Sequence, residues 1–172
     1  MDKQEFFLLI PAIIYGVAIV DLLKVFYHEK NYIEVVGWGI FIMMAVIFAW
    51  IELFNRLQSI TSNNLSFFLI IGQAIFYAKI ASLITPEAKD VDTKAYFMSI
   101  RKTLFLLIST IALYGIFLQY FLYKDSTPTW VRAIAIVIFL ITGYSNKYWV
   151  RLSMLGIALT ISILRIFTDV LR

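Results

Sequence analysis

VVGWGIFIMMAVIFAWI, residues 35–51, carries no charge from end to end and is bounded by Glu34 and Glu52. At about 1.5 Å of rise per residue the run is roughly 25 Å long as a helix, close to the ~30 Å of hydrocarbon in a bilayer. It reads as a membrane-spanning helix, and several comparable apolar runs flank it. Composition agrees: 62% hydrophobic residues, 15% charged residues and a mean hydropathy of +0.86 would leave a soluble domain with more apolar surface than water tolerates. No segment outside the apolar runs exceeds about twenty residues, too few for the usual 50 or more of an independent soluble domain.

Fifteen Lys and Arg against eleven Asp and Glu give a formal net charge of +4. The basic residues fall at the ends of apolar runs, where anionic headgroups account for them, so lipid rather than nucleic acid is the expected partner. The absence of cysteine excludes disulfides, thiolate metal sites and cysteine nucleophiles, and is silent on compartment.

The chain is expected to be all-α, a polytopic transmembrane helical bundle of six spans with short loops, a single domain over 1–172 with spans near 6–27, 35–57, 65–85, 101–123, 129–144 and 148–168. The first run follows Asp2 and Glu5 and lacks a small-residue cleavage site, so it reads as an uncleaved helix. Pro11 should bend it, and Ala12 with Gly16 offers a small-xxx-small face for a neighbour. QSITSNNLS after the second span supplies Asn64 or Ser66 as an N-cap, and Pro86 closes the third. In the charged connection PEAKDVDTK, Asp92 is placed to cap a helix from Thr93, whose first ten residues lie at headgroup level or project as an extension before the fourth span. Thr127 and Pro128 read as the cap and first position of the fifth span. The charge-free parts of the last two spans are short, so Arg132, Lys147, Arg151 and Arg165 must snorkel toward water if both helices cross fully; a shallow hairpin is the alternative.

Connections 1–2, 3–4 and 5–6 hold Lys24, Lys30, Lys89, Lys94, Arg101, Lys102, Lys147 and Arg151. The opposite face holds Lys3, Arg56, Lys124, Arg132, Arg165 and Arg172. The positive-inside rule then puts those connections in the cytoplasm and both termini outside. Trp38 and Trp149 fall at the cytoplasmic boundary and Trp50 and Trp130 at the outer one, as an aromatic belt would have them.

Charged groups at membrane depth cost on the order of 2.5–3.5 kcal/mol at the bilayer centre and so require a partner or a purpose. Sorted by depth they form two collars. Asp21 and Lys79 share the cytoplasmic layer, where a pair between them is geometrically possible. Glu52, its i+4 neighbour Arg56, Gln119, Arg132 and Arg165 share the outer layer, and Gln73 is the strongly polar side chain nearest the midplane. The collars read either as entrances to a pathway or as interhelical pairing that orients the bundle. Tyr15, Tyr77 and Tyr114 read as packing residues with satisfied hydroxyls.

Enzymatic sets are thin. His28 is the sole histidine and cannot build a metal site of the usual ligand count. No Ser-His or Cys-His pairing, paired intramembrane aspartates or Gly-rich phosphate loop is present, so neither an enzyme nor a cofactor is expected. A membrane enzyme acting on lipid, using Glu52, Asp90 and Asp92, is the remaining catalytic reading.

LITPEAKDVDTKAYFMSIRKTLF resembles the connection between the middle helices of small bacterial polytopic membrane proteins of unassigned function, and VAIVDLLKVF is similar to the same group. The resemblance covers about a quarter of the chain. It implies a bacterial inner membrane and supplies no activity. The expected function is an oligomeric channel or small transporter-like pore built by self-association. The alternative is a non-catalytic membrane partner or effector, for example in phage defence or signalling. It would dock a cytoplasmic protein through residues 85–102, with Lys89, Lys94, Arg101 and Lys102 contacting that partner or lipid headgroups.

Overall fold

The computed structural model describes residues 3–27, 32–60, 64–87, 91–121 and 129–170. Among the described residues six α-helices follow one another: α1 (Lys3–Lys24), extended by a 3₁₀ turn (Val25–Tyr27), α2 (Ile33–Ile60), α3 (Asn64–Ile84), α4 (Thr93–Phe121), α5 (Trp130–Tyr144) and α6 (Tyr148–Val170). No strand occurs among the described residues. Among the described residues four helices are long and apolar enough to cross a membrane, with candidate spans Leu8–Tyr27, Ile33–Asn55, Leu65–Ile84 and Thr93–Phe121, and two apolar helices, Trp130–Tyr144 and Tyr148–Leu164, are shorter.

Several local expectations hold. Asp92 accepts from the amides of Lys94 and Ala95 at 3.0 and 3.2 Å, the geometry of an N-cap, and α4 runs unbroken from Thr93, so TKAYFMSIRK is helical and continuous with the rest of α4. α1 continues through Pro11. Gly16 has no atom within 4 Å of where a Cβ would stand, so the Ala12–Gly16 step is not a contact within this chain. Thr129, not Thr127, precedes α5 and makes no side-chain capping bond. Thr127 and Pro128 lie outside the described residues.

Helices adjacent in sequence alternate in direction, and hydrogen bonds tie their ends together. At one end the Tyr32 amide donates to Thr93 Oγ1, the Thr85 hydroxyl to the Asp21 carbonyl and the Tyr96 hydroxyl to the Leu83 carbonyl. At the other, the Tyr114 hydroxyl of α4 donates to the Leu69 carbonyl of α3 at 2.8 Å.

The core gathers on α2, whose buried residues Val35, Trp38, Ile42, Val46, Ala49 and Leu53 repeat every three or four positions and so share one face. Trp38 is fully buried and meets Phe41, Phe105 and Phe139 edge-on at 5.4, 4.7 and 6.1 Å. It is a core residue, not part of a belt. Edge-to-face packing satisfies the ring quadrupoles and locks α2, α4 and α5 together. Trp149 and Trp130 are exposed. α4 and α5 approach closely because position 143 is glycine: a Cβ there would stand 2.9 Å from Phe105 Cβ.

The outward surface is as apolar as the interior. Ile13, Val17 and Val20 on α1, Phe68 and Ile75 on α3 and Val137 on α5 are all exposed, far beyond the patches a soluble monomer carries. Hydroxyls within the helices bond their own backbone, as Thr110 does to Leu106, Thr142 to Ile138 and Thr160 to Gly156 at 2.8–2.9 Å. That habit satisfies polar side chains where no water is available.

Candidate functional site

Two charged sites face each other along the bundle. The first joins the starts of α2 and α6. Arg151 sits one turn into α6 and Glu34 at the head of α2, and their side chains are 2% and 0% exposed. Arg151 Nε and Nη2 each donate to the carboxylate at 2.9 Å, a fork-to-fork pair. Its Nη1 reaches the Ser145 and Asn146 carbonyls at 3.3 and 3.1 Å, and Nη2 also reaches the Tyr32 hydroxyl at 3.4 Å. All five guanidinium donors thus have an acceptor.

Tyr32 in turn donates to Glu34. Burial first, then that bond, pushes its phenol above the ordinary value, so it remains a donor. Arg101 of α4 is also buried, with Nε on the Gly143 carbonyl at 3.0 Å and Nη2 on Asn146 Oδ1 at 3.1 Å. Two arginines thereby close the carboxyl end of α5, where the helix dipole favours cations.

The second site is a cavity of about 190 Å³ walled by α2, α3, α4, α5 and α6. Small residues open it: Ala45 and Ala49, Ala112 and Gly115, Ala135 and Ala158. Glu52, Gln73 and Arg132 bring charge and polarity to its wall, and Phe41, Phe48, Tyr77 and Phe139 bring aromatic surface. Arg132 Nη2 lies 3.7 Å from Glu52 Oε1, each side chain about a quarter exposed (24%), and Nη1 donates to the Gly115 carbonyl. A Cβ at position 115 would stand 3.5 Å from Nη1, an ordinary van der Waals contact, so the approach does not depend on the glycine. Arg132 occupies the first turn of α5, where a cation opposes the helix dipole, so Glu52 and Gly115 hold it against that preference. A second cavity of about 100 Å³ shares Phe41, Ala45, Tyr77, Ile111, Ala112 and Phe139 and adds Ile42, Ile80 and Ile108. It is an apolar annex toward the Trp38 cluster.

Of the expected site residues, the fold brings Glu52, Gln73 and Arg132 to one cavity. Asp21 pairs with Lys24 at 2.6 Å rather than with Lys79, which is exposed. Gln119 is buried away from the cavity wall. Lys94 and Lys102 are exposed, whereas Arg101 is turned into the bundle and cannot serve a partner or a headgroup as expected. Lys89 and Asp90 lie outside the described residues, as do His28 and the side chains of Arg56 and Arg165.

Arg151 does not snorkel; it is sealed against Glu34. That pair escaped the depth argument because Glu34 was read only as the edge of an apolar run. The signal was available: Glu34 and Arg151 lie at the same depth and bear opposite charge. Among the described residues no group of three His, Cys, Asp or Glu side chains could hold a metal ion. No protein-family model, no curated protein and no solved structure matches the chain.

Proposed function

We propose that this chain is an integral membrane protein of the cell's inner membrane that passes a small solute across the bilayer as a transporter-like pore. The observation that carries the reading is the cavity itself, about 190 Å³ between five helices, large enough to hold water or a small solute. It is lined by Glu52, Gln73 and Arg132. Charged groups at membrane depth are costly even when paired and so mark candidate functional positions, and transporter sites lie between helices near mid-depth.

The opposite end supports a transporter-like rather than a permanently open path. Trp38, Phe41, Phe105 and Phe139 fill the axis there, and the Glu34–Arg151 pair stands behind them. The cavity lies within one chain, so self-association is not needed to form it. The apolar faces of α1 and α3 meet lipid or further copies. The Glu34 end, with the larger share of basic residues, faces the cytoplasm.

Purified protein alone in proteoliposomes tests this. Small solutes or ions should cross, measured by osmotic swelling and by a potential-sensitive dye, and Glu52→Gln should slow or alter the flux. Liposomes as tight as protein-free ones contradict the proposal.

A further inference from the structure

The geometry points to a ligand class for the cavity: a small zwitterionic amphiphile, with an ammonium and an oxyanion a few ångströms apart on an apolar body. This rests on the reading of the cavity as a station on a solute path. Glu52 and Arg132 give the wall both signs of charge in one place. A ligand with a single charge would be attracted by one of them and repelled by the other a few ångströms away, beside the apolar surface of Phe41, Phe48 and Phe139. A zwitterion replaces one ion pair with two. The pair it replaces is loose, its charges 3.7 Å apart and both side chains about a quarter exposed.

Polarity sets the orientation. The oxyanion goes to Arg132, in the first turn of α5 where helix amides add positive potential, and the ammonium goes to Glu52. The body then extends into the annex, whose added wall is Ile42, Ile80 and Ile108. Two sources present this chemistry: a free amino acid with an aliphatic side chain, and the headgroup of an ethanolamine phospholipid.

Equilibrium binding to the full chain in phosphatidylglycerol nanodiscs tests the class with three probes of one skeleton: leucine, isoamylamine, which lacks the carboxylate, and 4-methylpentanoate, which lacks the ammonium. Leucine should bind at least about tenfold tighter than either, as expected for one charged hydrogen-bonded contact. Glu52→Gln should shift preference to 4-methylpentanoate and Arg132→Gln to isoamylamine, a reversal that mere loss of folding cannot produce. If leucine does not bind but phosphatidylethanolamine is retained through purification in native mass spectrometry, and is lost in both variants, the lipid headgroup is the source and the class stands.

Equal binding of the three probes, or neither leucine binding nor phosphatidylethanolamine retention, overturns the inference. Glu52-dependent flux alongside that result would leave the solute path standing without this ligand. Leucine binding without flux would keep the ligand and remove the path.

Discussion

Glu34 with Arg151 and Glu52 with Arg132 are the same two residue types, each joining α2 to a later helix, in two different settings. At the Glu34 end the pair is sealed, forked at 2.9 Å and completed by Tyr32 and the α5 carbonyls. At the Glu52 end the charges lie 3.7 Å apart on the wall of a cavity. A buried charge deprived of its partner is strongly destabilising, whereas a partly exposed, loosely held pair contributes less. The difference teaches that one pair holds helices together while the other lines a cavity, which is where the proposed solute path would use it.

The largest effect should come from breaking the sealed pair. Arg151→Met, which leaves Glu34 buried without its cation, should cost on the order of 3–5 kcal/mol and lower the thermal unfolding midpoint in a mild detergent. The double variant Glu34→Gln/Arg151→Met should recover much of that loss, since no lone charge remains. A silent Arg151→Met would erase the distinction between the two ends.

Next in size are two glycines. Gly143→Ala forces a Cβ to 2.9 Å from Phe105 Cβ and should cost about 1–3 kcal/mol. Gly115→Ala meets Arg132 Nη1 only at 3.5 Å and should stay within about 1 kcal/mol of the native chain, helped by alanine's helix propensity. Equal losses on heating would mean that both ends are packed alike. Asp92→Ala removes two amide bonds at the head of α4 and should cost about 1 kcal/mol by the same measurement. Smallest for stability is Glu52→Gln, below about 1 kcal/mol, although its effect on proteoliposome flux should be plain. A large melting loss there would make Glu52 a structural residue.

Much of the fold was legible because hydropathy marks depth along a helix axis. The uncharged run at 35–51, the stop at Pro86, the Asp92 cap and the short 145–147 turn all lie in local sequence, and six helices follow from them. Azimuth was not legible. Lipid is as apolar as the core, so a span such as α3 shows no polar face to mark its outside. Trp38 was therefore placed at a boundary when it fills the centre, and Arg101 and Arg151 were sent to water when they turn inward. Arg151 finds Glu34 across 117 residues, a distance no local pattern spans. Depth alone grouped Glu52 with Arg132 correctly. It also suggested Asp21 with Lys79, where Lys24, three residues on, is the partner.

The absence of native cysteine makes one measurement especially direct. Ala49 lines the cavity, while Ala74 is fully buried and does not. With single cysteines at these positions in a reconstituted membrane, a small water-soluble thiosulfonate should modify Ala49→Cys and spare Ala74→Cys. Equal inertness of both would mean that no aqueous solute reaches the space between Glu52 and Arg132, contradicting the account.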